Sequence, residues 1–142
     1  MAIAEDFVFK FQIFNKIKRI VISNQRGYNY LIHENSAMRN GFNNRKLNAI
    51  YEFKELIENT SVQEYYYEGL LSRCVNIGFV ILFMIPISEE YKEERKLVVD
   101  FIMQYRRAVL FNKKSRNKVK LAILCSYLGF DFTQRVFNII QR

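Results

Sequence analysis

The chain has 142 residues, half of them apolar, with thirteen Phe, nine Tyr, no Trp, one Pro and five Gly. This composition excludes a disordered or collagen-like chain and supplies a core for one domain of ordinary size. A net charge of +8, from 22 Lys and Arg against 14 Asp and Glu, points to an anionic partner.

Glu5 and Asp6 precede Phe7, Val8, Phe11, Phe14 and Ile17 at helical spacing, and Lys16, Lys18 and Arg19 follow. Acids first and bases last suit a helix dipole. Phe7, Phe9, Phe11 and Ile13 also alternate at strand spacing. Residues 19–23 read as a short strand, 24–27 as a turn and 28–33 as a second strand. Residues 35–44 are polar and read as a loop. Acids so close to the N-terminus are not those of a signal peptide.

Helical patterns follow. Residues 45–59 carry Ala49, Ile50, Phe53, Leu56 and Ile57 on one face. Ser61 and Glu64 form a capping-box pattern for a helix that Pro86 stops. Residues 77–87 are the most apolar stretch, shorter than the roughly 20 residues a bilayer crossing needs, and read as a buried helix end, with a membrane-dipping or interface element as the alternative. Ser88 caps the next helix, whose stripe is Val98, Phe101, Ile102, Tyr105, Ala108 and Val109. A basic turn at 112–117 precedes the apolar face Leu121, Leu124, Cys125 and Leu128, with Gly129 as a stop. Asp131 and Gln134 open a short last helix. The expected fold class is mainly α. A short N-terminal α/β remnant, one helix and one or two short strands, precedes a bundle of four to five helices.

Residues 101–130 hold no acid and seven bases: Arg106, Arg107, Lys113, Lys114, Arg116, Lys118 and Lys120. Such a block attracts an anionic membrane surface or nucleic acid, and it equally suits a solvated helix face. No recognition motif for a specific nucleic acid accompanies it. Cys74 and Cys125 each sit in an apolar run without a second ligand, which implies core packing and a reducing cytoplasm.

Few enzyme signatures are present. The chain has no phosphate-cradling Gly-rich loop, no Gly-x-Ser-x-Gly, no Cys-x-x-Cys and no Asp-x-Asp. His33 is the only histidine, so one chain cannot build a multi-histidine metal site. Tyr65, Tyr66 and Tyr67 suggest sugar stacking, but successive helix residues point in different directions, so packing with one exposed Tyr is the favoured reading.

The order Glu5-Asp6, the aromatic segment 7–14, Ile20-Val21-Ile22, and then Tyr28-x-Tyr30 and Ser36 resembles the end of the catalytic domain of family 2 (GT-A fold) glycosyltransferases. That family places an acidic pair at the start of a helix, then a Lys-Ile-Val-Ile-like strand, then Tyr-x-Tyr-Arg-x-Arg-x-x-Ser before a helical tail. The family has Arg at the positions of Leu31 and His33. The resemblance covers residues 3–59. It implies that 1–44 end a GT-A catalytic domain and that 45–142 form a helical accessory domain.

It also implies a function. The chain would be the C-terminal fragment of a bacterial enzyme that moves a sugar from a nucleotide-sugar donor to a surface-polysaccharide or lipid-linked acceptor. Asp6 matches the family's catalytic base, with Glu5 beside it. His33, Ser36 and Arg39 are the expected substrate or diphosphate contacts. A divalent Mn or Mg ion belongs to the full-length enzyme, held by an Asp-x-Asp outside this chain, with His33 its one candidate contact here. The fragment itself is expected to hold no metal and to be inactive. Val8, Phe11, Phe14, Ile20 and Ile22 are expected to pack on the absent half, or on a second copy in a homodimer. Lys113, Lys114, Arg116, Lys118 and Lys120 would meet a membrane at its inner, cytoplasmic face. The rival expectation is a non-enzymatic helical module that binds an anionic partner through residues 106–120.

Overall fold

A computed structural model describes residues 5–14, 16–19, 21, 23–25, 27, 41–61 and 66–140. Their helices are α1 Glu5–Phe14, α2 Asn48–Glu58, α3 Tyr67–Met84, α4 Lys92–Phe111, α5 Asn117–Ser126 and α6 Phe130–Ile140. Short 3-10 turns at Asn44–Leu47 and Glu89–Tyr91 lead into α2 and α4. The protein is mainly helical, as its sequence predicts. Among the described residues there is no strand. Arg19, Val21 and Ser23 are exposed and irregular, so the strand expected at 19–23 is absent at these positions. A strand forms only when a neighbour pairs with its N–H and C=O groups. The second expected strand, 28–33, lies outside the described residues, as do Ile20 and Ile22.

The spine is α3. Leu70, Leu71, Cys74, Val75, Ile77, Phe79, Ile81 and Leu82 are all buried along it. By length and composition this helix suffices to cross a membrane. Here it is a core helix, in contact with α2, α4, α5 and α6. The capping-box pattern does not open it: α3 begins at Tyr67, beyond Ser61, and Glu64 lies outside the described residues. Pro86 does end it. The residue before a proline is pushed out of the helical region, and Ile85 has φ −77° and ψ 124°.

The largest helix–helix interface joins α3 to α4. Gly78 permits the approach: a Cβ there would stand 3.2 Å from Ile102 Cγ1 and 3.4 Å from Phe101 Cδ1. Val98, Phe101, Ile102 and Val109 are buried as their stripe predicts, whereas Ala108 is exposed. The Phe101 ring lies between Phe53, at 6.4 Å, and Tyr105, at 5.4 Å. Ser88 precedes α4's entry turn in extended conformation, and its carbonyl accepts the Tyr91 N–H at 3.2 Å.

Arg95 closes one end of the bundle. Its Nη1 donates to the Ile85 carbonyl at 3.1 Å and to Gln134 Oε1 at 2.6 Å, and its Nη2 pairs with Asp131. Gln134 Nε2 donates to the Phe83 and Ile85 carbonyls at 3.2 and 2.9 Å. These bonds satisfy carbonyls that the end of α3 would otherwise leave orphaned in the interior. Gly129, at φ +129°, makes the reversal before α6. Its carbonyl accepts the Thr133 N–H at 3.0 Å and Thr133 Oγ1 at 2.7 Å.

Two sequence expectations about packing are corrected. Phe11 is buried in this chain's own core, with its ring 5.2 Å from Tyr66, and Phe7 meets Phe53 edge-on at 6.0 Å. Val8 is partly buried against the same core. Thus α1 docks on α2 through Phe7, Val8 and Phe11, because aromatic area close at hand is covered by its nearest apolar partner, while the Phe14 side chain lies outside the described residues. In α5 the expected apolar face points the wrong way. Val119, Ala122, Ile123 and Ser126 are buried, whereas Leu121, Leu124 and Leu128 are exposed and Cys125 is half-buried. Both faces of α5 are apolar, and the one that packs against α3, α4 and α6 carries Val119, Ala122 and Ile123.

Candidate functional site

Asp6 is exposed in the first turn of α1, and Glu5 is the first residue of that helix. Phe7 and Phe11 clamp α1 to the body, so Asp6 rides on an anchored element. Phe9 follows Asp6 by three residues and is its neighbour on the helix surface. It is 62% exposed and lines a groove of about 640 Å³ between α1 and α2. Val8, Leu56, Gln12, Glu52 and Glu55 line the same groove. Lys16, Asn59 and Thr60 complete the lining, and apolar walls with two carboxylates, two carboxamides, an ammonium and a hydroxyl suit a ligand that carries hydroxyl groups. His33, Ser36 and Arg39, together with Tyr28 and Tyr30, lie outside the described residues.

A second polar surface surrounds the basic turn. Asn112 builds it: its Nδ2 donates to the Glu68 carbonyl at 3.1 Å, and its Oδ1 accepts the Lys114 N–H at 2.8 Å. The Ser115 N–H donates to the Asn112 carbonyl at 3.2 Å. An asparagine that caps the amide two residues on is a common turn device. Lys113, Lys114, Arg116 and Lys118 are thereby held exposed, and Lys120 is half-buried. Arg73, from α3, joins Lys114 and Arg116 around a pocket of about 200 Å³ that Ser72 and Asn76 also line. Three cations around one small polar pocket favour an anion. Arg73 is absent from the sequence-predicted set, since only the fold brings α3 beside the turn. Its guanidinium also lies over the Phe7 ring at 5.9 Å, between the two surfaces.

Arg106 leaves the predicted basic block. Its Nη1 donates to Ser126 Oγ at 3.0 Å and to the Ser126 carbonyl at 3.3 Å, and it lies over the Tyr127 ring at 4.0 Å. It braces α4 against the end of α5. The tyrosine run also goes into packing: Tyr66 sits against Phe11 and Tyr67 packs on the core, while Tyr65 lies outside the described residues.

Burial pushes the Cys74 thiol far above its ordinary range, against the opposing pull of Arg73. A thiol so held is not a nucleophile. Burial also holds the Lys46 ammonium below its ordinary value. Its Nζ donates to the Gly41 carbonyl at 2.9 Å and reaches Met84 Sδ at 3.4 Å. Among the described residues no three His, Cys, Asp or Glu side chains gather to hold a metal. No family model, curated protein or solved structure matches this chain.

Proposed function

We propose that this chain is the C-terminal part of an inverting family 2 glycosyltransferase, with Asp6 as general base. The observation that carries the reading is the placement of Asp6. It is exposed and anchored, and its surface neighbour Phe9 lines a groove suited to a hydroxyl-bearing acceptor. The sequence order from Glu5 to Ser36 supplies the family. A nucleotide-sugar would be bound by a preceding half that carries the Asp-x-Asp. The acceptor is a surface-polysaccharide or lipid-linked glycan.

In this chemistry the acceptor oxygen attacks the anomeric carbon and the nucleotide diphosphate leaves with its bonding pair. Asp6 accepts the proton of the attacking hydroxyl, which requires an approach of about 2.6–3.2 Å. Ser36, Arg39 and His33 would contact the substrate. The described residues offer no donor set for Mn or Mg, and Asp6 needs none to take a proton.

The test is the reading frame upstream of Met1. A βαβ region with Asp-x-Asp joined to this chain supports the transferase, and a frame that starts at Met1 without one removes it. In the joined protein, Asp6→Asn should lower kcat about a hundredfold or more and leave donor affinity nearly unchanged. An unchanged rate takes Asp6 out of the mechanism. A second reading, a non-enzymatic module for an anionic partner, is favoured by the pocket of Arg73, Lys114 and Arg116. Tight binding of inorganic pyrophosphate by a chain with no upstream half would support it.

A further inference from the structure

Helix α5 is apolar on two opposite sides, and only one of them is covered. Val119, Ala122 and Ile123 face the core. Leu121 and Leu124 are 51% and 53% exposed, and Leu128, in the turn that follows, is 76% exposed. At about 100° per residue Leu121 and Leu124 stand roughly 60° apart and form a ridge, which Leu128 follows in the turn. The same geometry puts Lys118 on one flank of the ridge and Lys120 on the other. Lys118, Lys120, Leu121 and Leu124 line one shallow depression of about 420 Å³. Phe111, 73% exposed, ends α4 just before the basic turn, and Tyr127 is 54% exposed beside Leu128.

We propose that this face of α5 is a membrane-docking surface. It lays Leu121, Leu124 and Leu128 into the interface of a bilayer rich in anionic lipid, with Lys118 and Lys120 among the headgroups.

Three observations favour a bilayer over other occupants. A contiguous apolar ridge left open on a soluble domain marks an interaction surface. Its rim is cationic, with no acid anywhere in residues 101–130, which complements anionic headgroups. The same rim disfavours a second copy, since a two-fold contact brings like patches together and would set lysines against lysines. The ridge is also short, and insertion by about 5–10 Å at the headgroup boundary suits it. This inference does not rest on the transferase reading.

The experiment is co-sedimentation of the 142-residue chain with phosphatidylcholine vesicles and with mixed phosphatidylcholine–phosphatidylserine vesicles, at low and high salt. The chain has no Trp, so Leu124→Trp gives a clean fluorescence reporter. We expect binding to the mixed vesicles only, weakening with salt, with a blue shift of the Trp emission on binding. Lys118→Gln and Lys120→Gln should each weaken binding about fivefold. Leu121→Gln with Leu124→Gln should weaken it about tenfold or more at unchanged salt, with an unchanged thermal melt because both side chains are exposed. Equal binding to both vesicle types, or leucine variants that bind as the parent does, overturns the proposal. So does a parent dimer that the leucine variants convert to monomer, which would make a second copy the occupant. Binding to RNA or to an acidic protein without binding to vesicles overturns it as well.

Discussion

Helices α4 and α5 use the same residue types in opposite ways. On α4 the apolar residues Val98, Phe101 and Ile102 are all buried, and the cation among them, Arg95, is 8% exposed and turned inward onto backbone and side-chain acceptors. On α5 one apolar face is buried and a second faces out, with Lys118 and Lys120 on its flanks and the exposed cations of the Asn112 turn just before it. A helix with one apolar face has one way to pack, so its pattern reports its burial. A helix with two apolar faces must leave one for something else. The first arrangement makes a fold, and the second leaves a surface available for a partner.

The sharpest way to break this comparison is to cut into each helix in turn. Phe101→Ala removes a fully buried ring that lies between Phe53 and Tyr105. It should cost about 3–5 kcal/mol, measured by urea unfolding. Leu124→Ala, on the open face of α5, should change stability by less than about 0.5 kcal/mol. Equal costs would mean that the outer face of α5 is not free, and the contrast between the helices would be lost.

Arg95 gives the next largest effect. Arg95→Met keeps the apolar stem and removes the donors to the Ile85 carbonyl and to Gln134. It should destabilise by about 2 kcal/mol, because buried acceptors lose their partner. Asp131→Asn should cost less than about 1 kcal/mol, since the Asp131 side chain is 59% exposed and water screens its ion pair. Equal costs would show that the ion pair, rather than the capped carbonyl, holds α6 to the end of α3. Thermal melts of both variants and of the double variant decide the matter.

The same contrast explains what was legible in the sequence. Ala49, Ile50, Phe53 and Ile57 on α2, and most of the α4 stripe, could be read because each helix has a single apolar face. Pro86 could be read because proline bars the residue before it from the helix, and Gly129 because glycine alone readily takes the positive φ of the reversal. The buried side of α5 could not. Counting large apolar residues selects Leu121, Leu124 and Leu128, and only packing against α4 shows that Val119 and Ile123 lie inside. Arg95, Gln134 and Asp131 were also hidden: they meet only once α4 and α6 converge, and no local spacing encodes that. Arg73 escaped for the same reason. Of the site read by resemblance, Asp6 is placed on an anchored helix, and His33, Ser36 and Arg39 lie outside the described residues.

The two cysteines provide the finest test, because one belongs to each region. Cys74 is buried on α3, and Cys125 is half-buried on α5. Iodoacetamide should therefore label Cys125 in the native protein and leave Cys74 untouched until the chain unfolds. Mass spectrometry of the digested protein reads this directly, and prompt labelling of Cys74 would mean that α3 opens far more easily than its packing implies. The buried thiol also makes stability depend on pH in a definite direction. Burial raises the folded-state value of Cys74 above the ordinary 9.0. Above that value the unfolded thiol loses its proton while the folded one keeps it, so the unfolded state binds fewer protons and stability falls as pH rises. Below it both states are protonated and Cys74 contributes no slope. Tyr105, also raised by burial, acts in the same sense at higher pH, and Lys46, lowered by burial, acts in the opposite sense. Comparison with Cys74→Ala cancels those two groups. Between about pH 8 and pH 10 the parent should lose about 1 kcal/mol relative to the variant, the share of one proton over that interval. A difference that stays flat with pH would mean that the thiol ionises in place, and that the interface between α3 and α4 admits water where the packing around Cys74 excludes it.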